Sequence, residues 1–534
     1  MTDYFVGPGG NNANAGTSWS LRKLTLAGAE ALSLVGGDRV WVGAGVYRES
    51  LSVGNSGGSA YSTGTVSVTQ GSATVTGSST VWTTNAAAGG QFRTGGYGPY
   101  EIQSVDSNTQ ITLVQPFGGA TASGASYAVY KDIKYIGDVT GFMTDGIGGL
   151  VRITGTGNDA GAATRNTWLT CSSQGYRTFR GFVFDALLST SNGIQLTSAN
   201  DIIIEDSAMS YQAGGGPMFN CSGASQLNVT MRRCYALVGT ATSIQFTHTA
   251  SVNNSGHLFE NNVVIGPISG RAINVIRVGG IMVRNSFIAC ASAGIATQTA
   301  SPPQALTAYN NVIYGCGSSG ALLAFASGDI TSDYNNLYAN LTNYSSVTAG
   351  THDTTYSPLF AFPMLLNMFG LPNIPLFSLS EYSALRALGS TSPAGEDVFG
   401  ISRPVTNSKL SIGPFQWSDV SQSTTQVDAG TYSRKLADAG REQYFIPVTN
   451  VSTTFSIKVY RESSYAGTAP QVILKQPGQA DITLTDAGSS AAWNTLSTTF
   501  TPATLPGWVC VELVSNNTAT SGSFAVYWDT ESVS

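Results

Sequence analysis

The sequence predicts an all-β chain: a central parallel β-helix, an antiparallel β module inserted near its start, and a β-sandwich at its C-terminal end. Three observations predict it. A short pattern returns every 24 to 28 residues through the middle of the chain. Residues 59 to about 131 break into alternating runs separated by turn residues. From Val427 onward, apolar and polar residues alternate with period two. The composition agrees: 62 of 534 residues are Gly and only 10% are charged, which disfavours helices and favours turns and strands.

The repeat reads Glu205-Asp206-Ser207, Arg232-Arg233-Cys234, Glu260-Asn261-Asn262, Arg284-Asn285-Ser286, Tyr309-Asn310-Asn311 and Tyr334-Asn335-Asn336. A fixed period of this length marks stacked units rather than one globular core. On a parallel β-helix, neighbouring coils lie ~4.8 Å apart, so equivalent positions form ladders. The second position would place Asn261, Asn285, Asn310 and Asn335 in an inward column of amides bonded from coil to coil. The third, with Asn262, Asn311 and Asn336, would supply the left-handed corners. The first alternates Glu205, Arg232, Glu260 and Arg284 before Tyr309 and Tyr334, which reads as an outward, exposed ladder that fixes register. Glu205 and Glu260 are therefore assigned a structural task.

Before the repeat, Asp3-Tyr4-Phe5-Val6 is extended, and residues 21–35 suggest an amphipathic helix with Leu24, Ala27, Leu32 and Val35 on one face. Gly37-Asp38-Arg39-Val40-Trp41-Val42-Gly43-Ala44-Gly45-Val46-Tyr47-Arg48-Glu49 follows. This order resembles the opening of right-handed parallel β-helix proteins of the pectate-lyase-like superfamily. The closing segment around Ser392-Pro393-Ala394-Gly395 and Ile412-Gly413-Pro414-Phe415 resembles the final coils of the same superfamily. Within the insert, Gly64-Thr65-Val66-Ser67-Val68 and Gly71-Ser72-Ala73-Thr74-Val75 read as antiparallel hairpins. They resemble a small β module met in bacteriophage virion proteins. The domains are then residues 1–58 (cap and first coils), 59–131 (insert), 132–420 (β-helix) and 421–534 (sandwich), the last opening on a Ser/Thr/Gln linker, Ser421 to Gln426. Trp493-Asn494 and Val526-Tyr527-Trp528-Asp529 resemble jelly-roll carbohydrate-binding modules in fold type.

Several function classes are disfavoured. Net charge is −6 with no basic run, so the footprint of a nucleic-acid binder is missing. The apolar stretch from Pro358 to Phe377 carries four prolines and no basic flank, which argues against membrane insertion. No secretory signal is apparent at Met1-Thr2-Asp3. The six cysteines (171, 221, 234, 290, 316 and 510) are scattered, and with His248, His257 and His352 they form no metal-ligand spacing. Free thiols assembled in a reducing cytoplasm are expected, with no metal and no cofactor.

For chemistry, two carboxyls must flank a sugar-sized groove. Asp329 and Asp333 are the candidates, if a bend between them sets their separation; the competing assignment is turn capping. His352-Asp353 reads as a surface pair, and His248 and His257 as part of an excursion between coils. Trp493, Tyr465 and Trp508 are candidates for stacking on sugars, or else belong to the sandwich core.

Together the resemblances imply a bacteriophage virion appendage, a tailspike or a head or neck spike. It would be a homotrimer that buries residues 358–377 and contacts other virion proteins. Assembled in the host cytoplasm and exposed on the particle, it would present the sandwich to host-surface polysaccharide. The alternative is a polysaccharide depolymerase, hydrolase or lyase, acting through a groove on the rod. A third reading, a secreted bacterial β-helix hydrolase, is weakened by the phage-like insert.

Overall fold

The computed structural model describes residues 1–533 apart from 155–166, 186–191, 212–215, 224–226, 239–243, 253–255, 266–269, 290–291, 299–304, 318–319, 359–364, 367–373, 376–419, 424–427, 429–432, 438–440, 448–451, 463–464, 466, 476–481, 502–507 and 517–524. The closing segment 392–415 and most of 358–377 thus lie outside the described residues.

The first compact unit is a parallel β-helix. Its first sheet has ten strands, from Asp3–Val6 to Ile330–Asp333; its second and third have nine each. Each coil contributes one short strand to each sheet, and every inter-coil pairing is parallel. Inward side chains stack into one continuous core, with Ile204, Met231, Phe259, Val283 and Ala308 as one column of the first sheet.

The corner between the first and second sheets reverses the expected roles of the repeat. The left-handed residues are those at the second position: Asp206, Arg233, Asn261, Asn285 and Asn310 all have φ between 49° and 55°. The third position forms the inward polar column. Cys234 N donates to Asn262 Oδ1 at 2.8 Å, Asn262 N to Ser286 Oγ at 3.2 Å, Ser286 N to Asn311 Oδ1 at 3.0 Å and Asn311 N to Asn335 Oδ1 at 3.0 Å. The series ends where Asn335 N donates to Asp353 Oδ1 at 2.8 Å. Each bond satisfies an amide that the bend would otherwise leave dry. The last copy is also displaced by one residue: Asp333, not Tyr334, lies opposite Tyr309, and Tyr334 takes the left-handed corner.

The N-terminal helix is shorter than the expected one. It spans Leu26–Glu30, and it buries Leu26 and Ala29 while leaving Leu24 and Val35 exposed. Thr25 caps it, Oγ1 accepting from Gly28 N at 2.9 Å, and Glu49 accepts from the amides of Leu26 and Ala27. That contact explains the Glu at the end of the opening motif. His257 corrects another expectation: it lies in the strand His257–Glu260, 1% exposed, with Nδ1 accepting from Val229 N at 3.0 Å. For His248 only the backbone, in the strand Ile244–Val252, is described.

The insert leaves after the strand Leu51–Val53 and rejoins at Ile133–Gly137. It is a seven-stranded antiparallel sheet with its own core of Val66, Val75, Trp82, Phe92, Ile111 and Phe117. It lies against the outer face of the first sheet, where Pro99 O accepts from Arg232 Nη1 at 2.7 Å.

The second unit contains a β-sandwich with sheets of five and four antiparallel strands around Phe455, Ile457, Val459, Leu474, Val511, Val526 and Trp528. Residues 420–423 form a strand paired with Ser433–Ala437, so the segment expected to begin a linker is the sandwich's first strand. Among the described residues, no helix is long and apolar enough to cross a membrane, and no group of three His, Cys, Asp or Glu is placed to hold a metal.

Candidate functional site

Among the described residues, the outer face of the first sheet carries a ladder of charged side chains. Arg180, Glu205, Arg232, Glu260 and Arg284 occupy successive coils in direct register. Arg232 Nε lies 2.7 Å from Glu205 Oε2, and Arg284 Nη2 2.7 Å from Glu260 Oε2. The insert covers this ladder, so Glu205, Arg232, Glu260 and Arg284 are between 2% and 7% exposed. This corrects the expectation of an exposed ladder worth tenths of a kcal/mol. Burial alone would raise the Glu205 carboxyl, but the guanidiniums of Arg232, Arg233 and Arg180 outweigh it and hold the group well below the usual carboxylate range. Glu205 and Glu260 are committed to structure, as their place in the repeat indicates.

The cover ends beyond Arg284. The next two coils present Thr307, Tyr309, Thr331 and Asp333, all at least partly exposed. Asp333 accepts from His352 N at 2.8 Å, and both its carboxylate oxygens lie 3.1 Å from His352 Nδ1. The His352 ring, 51% exposed, stacks on Tyr334 at 4.2 Å between centroids, with 13° between the planes. Tyr309 stands one coil away, its phenol raised by burial and by the Asp333 carboxylate. Carboxylate, imidazole and two phenols therefore converge on an open surface.

Asp329 does not join this group. It is 2% exposed, and its Oδ2 accepts from Thr297 Oγ1 and Ala326 N, both at 3.1 Å, bracing the turn before the strand Ile330–Asp333. No bend separates it from Asp333, and four extended residues span about 13 Å. Asp353 caps the polar column and accepts from Ser332 Oγ and Tyr344 OH.

In the sandwich, Trp493 lies opposite Tyr460 on the outer face of the five-stranded sheet, with rings 5.5 Å apart and both half-buried. Tyr527 continues the row at 6.1 Å from Tyr460. Tyr465 differs: it packs on the core, and its hydroxyl donates to the carbonyls of Thr468 and Ser515. The side chain of Trp508 lies outside the described residues. Tyr460 is the member that sequence reasoning missed; its signal was the alternation that points Phe455, Ile457 and Val459 inward and the next residue outward.

No protein-family model matches the chain, and no curated protein does. Among solved structures, a rhamnogalacturonan lyase is similar at 12% identity and TM-score 0.37, over 71% of this chain and 97% of that one. The GH136 lacto-N-biosidase from Eubacterium ramulus has 12% identity and TM-score 0.37 over 64% of this chain; the chain spans 56% of its length. A family 16 carbohydrate-binding module matches 22% of this chain and 86% of its own, at 13% identity and TM-score 0.19. None of these likenesses is close enough to say what this chain does. The fold itself is plain: a parallel β-helix with an antiparallel insert, followed by a β-sandwich.

Proposed function

We propose that the chain is a structural appendage of a bacteriophage virion that attaches to host-surface polysaccharide through its sandwich. The observation that carries this reading is the Trp493–Tyr460 pair, two aromatic rings side by side on an outer sheet face and only partly buried. Apolar ring faces flanked by polar strands suit sugar rings, which are apolar above and below and hydroxylated at the edge. Scarce charge and the phage-like insert support the virion assignment, and a homotrimer is proposed from the same resemblance. Capsule or lipopolysaccharide from candidate hosts should bind the wild-type chain. Trp493→Ala should weaken binding at least tenfold without changing the melting temperature; unchanged affinity would remove the platform. A monomeric mass in light scattering would sink the trimer.

The second reading is a depolymerase, supported by the Asp333–His352 pair beside Tyr309 on the uncovered end of the first sheet. It requires new reducing ends or unsaturated uronates on incubation with polysaccharide, lost in His352→Ala.

A further inference from the structure

Part of the seam between the insert and the first sheet is hollow. A cavity of about 160 Å³ is lined on one side by Arg39, Trp41 and Lys134 of the sheet and on the other by Glu101 and residues 87–90 of the insert. Met1 and Ala88, both exposed, form part of its boundary, so it communicates with solvent. Asp132 also lines it and is 1% exposed. Its Oδ2 accepts from Thr178 Oγ1 at 2.5 Å and from Gln91 Nε2 at 3.4 Å. Its Oδ1 has no hydrogen-bond partner, and neither has Oε1 of Gln91, itself 1% exposed. Buried acceptors are rarely left without a donor.

The charges around the cavity narrow what supplies the donor. Lys134 pairs with Glu101 at 3.0 Å, Arg39 with Asp3 at 2.7 Å and Arg180 with Asp206 at 2.9 Å. Lys131 lines the same cavity and has no ion-pair partner among the described residues. A metal cation would meet four cationic side chains, and an apolar guest would leave Asp132 Oδ1 dry. An inorganic anion would face the carboxylates of Asp132 and Glu101. A polyol meets every requirement: a hydroxyl donates to Asp132 Oδ1, another accepts from Lys131, and a ring face is left for Trp41. Burial raises the Asp132 carboxyl against the pull of Lys134. The volume holds several waters at about 30 Å³ each, yet falls below the roughly 300–1,000 Å³ of drug-sized pockets, which limits the guest to one ring.

We propose that this seam cavity binds a single monosaccharide-sized polyol through Asp132 and Lys131, at a site separate from the Trp493 platform. The test is saturation-transfer NMR on the full chain with glucose, galactose, rhamnose and N-acetylglucosamine as probes. At least one should receive saturation, with affinity reduced tenfold or more in Asp132→Ala and several-fold in Lys131→Met. The latter alters a half-buried position and reports even if the former fails to fold. The same measurements are made in Trp493→Ala, which removes the sandwich platform. Absence of transfer to all four sugars in that chain would overturn the seam site, as would binding there that survives both Asp132→Ala and Lys131→Met.

Discussion

Arg232 donates to Glu205 through Nε and to the carbonyl of Pro99 through Nη1, both at 2.7 Å, so one guanidinium serves the coil ladder and the insert together. It is 6% exposed and also faces the carboxylate of Glu260. Removing one partner of such a buried pair leaves an uncompensated charge, at a cost of about 3–5 kcal/mol. Arg232→Ala should lose that much in urea unfolding and should speed hydrogen exchange along the strand Tyr97–Ser107. A loss below about 1 kcal/mol would mean that water reaches the ladder.

Two asparagines one coil apart should respond oppositely. Asn311 accepts from Ser286 N and donates to Val283 O and Asn335 Oδ1, so Asn311→Ala strands several buried groups and should cost about 2–4 kcal/mol. Asn285 sits at φ 51° with both side-chain polar atoms buried and unpaired. Asn285→Gly removes that amide and suits the backbone, so stability should change by less than about 1 kcal/mol in either direction. Equal losses in thermal melts would contradict the two-column assignment.

Stability should depend on pH through carboxylates of opposite sign. Burial acts to raise Glu205, Asp206 and Glu260, but their arginines prevail and hold all three below their ordinary values. Their contribution is complete above the unfolded carboxylate range near 4 and is lost as pH falls through the lowered values. Asp201 goes the other way: burial lifts it to about 6, despite Arg93 at 3.3 Å and a bond from Asn228. The fold takes up a proton there between about pH 6 and 4, gaining stability on acidification on the order of 2–3 kcal/mol. Asp201→Asn should abolish that gain while leaving the loss at lower pH, which denaturation at pH 7, 5 and 3 would detect.

The described thiols should be inert in the native chain. Cys171, Cys221, Cys234 and Cys316 are buried and form no disulfide, and burial lifts the Cys171 thiol to about 12. Thiolate is the reactive form. Peptide mapping after native alkylation should find these four unmodified until denaturant is added; modification of Cys171 or Cys234 at neutral pH would show that the core opens.

The repeat was legible because its period is enforced by stacking, and the alternating signs from Glu205 to Arg284 lie in the register that the spacing implies. Which Asn column turns the corner was not legible. Asn serves both tasks, and the deciding residue is Arg233, whose left-handed φ no propensity of its type suggests. The burial of the ladder was hidden for another reason: Pro99 and Arg232 are 133 residues apart, and nothing local to either announces the other. Asp132 escaped notice likewise, since it sits at the boundary of the insert and is buried only once the insert is in place.

The insert has a consequence for how the chain is made. It has its own core, yet its seat is built from residues as late as Arg284. During synthesis it would emerge early and wait, tethered, until the coils it covers had stacked. Seating would then act as a checkpoint on the rod: a coil slipped by one repeat would bring like charges together beneath the closing cover and refuse it.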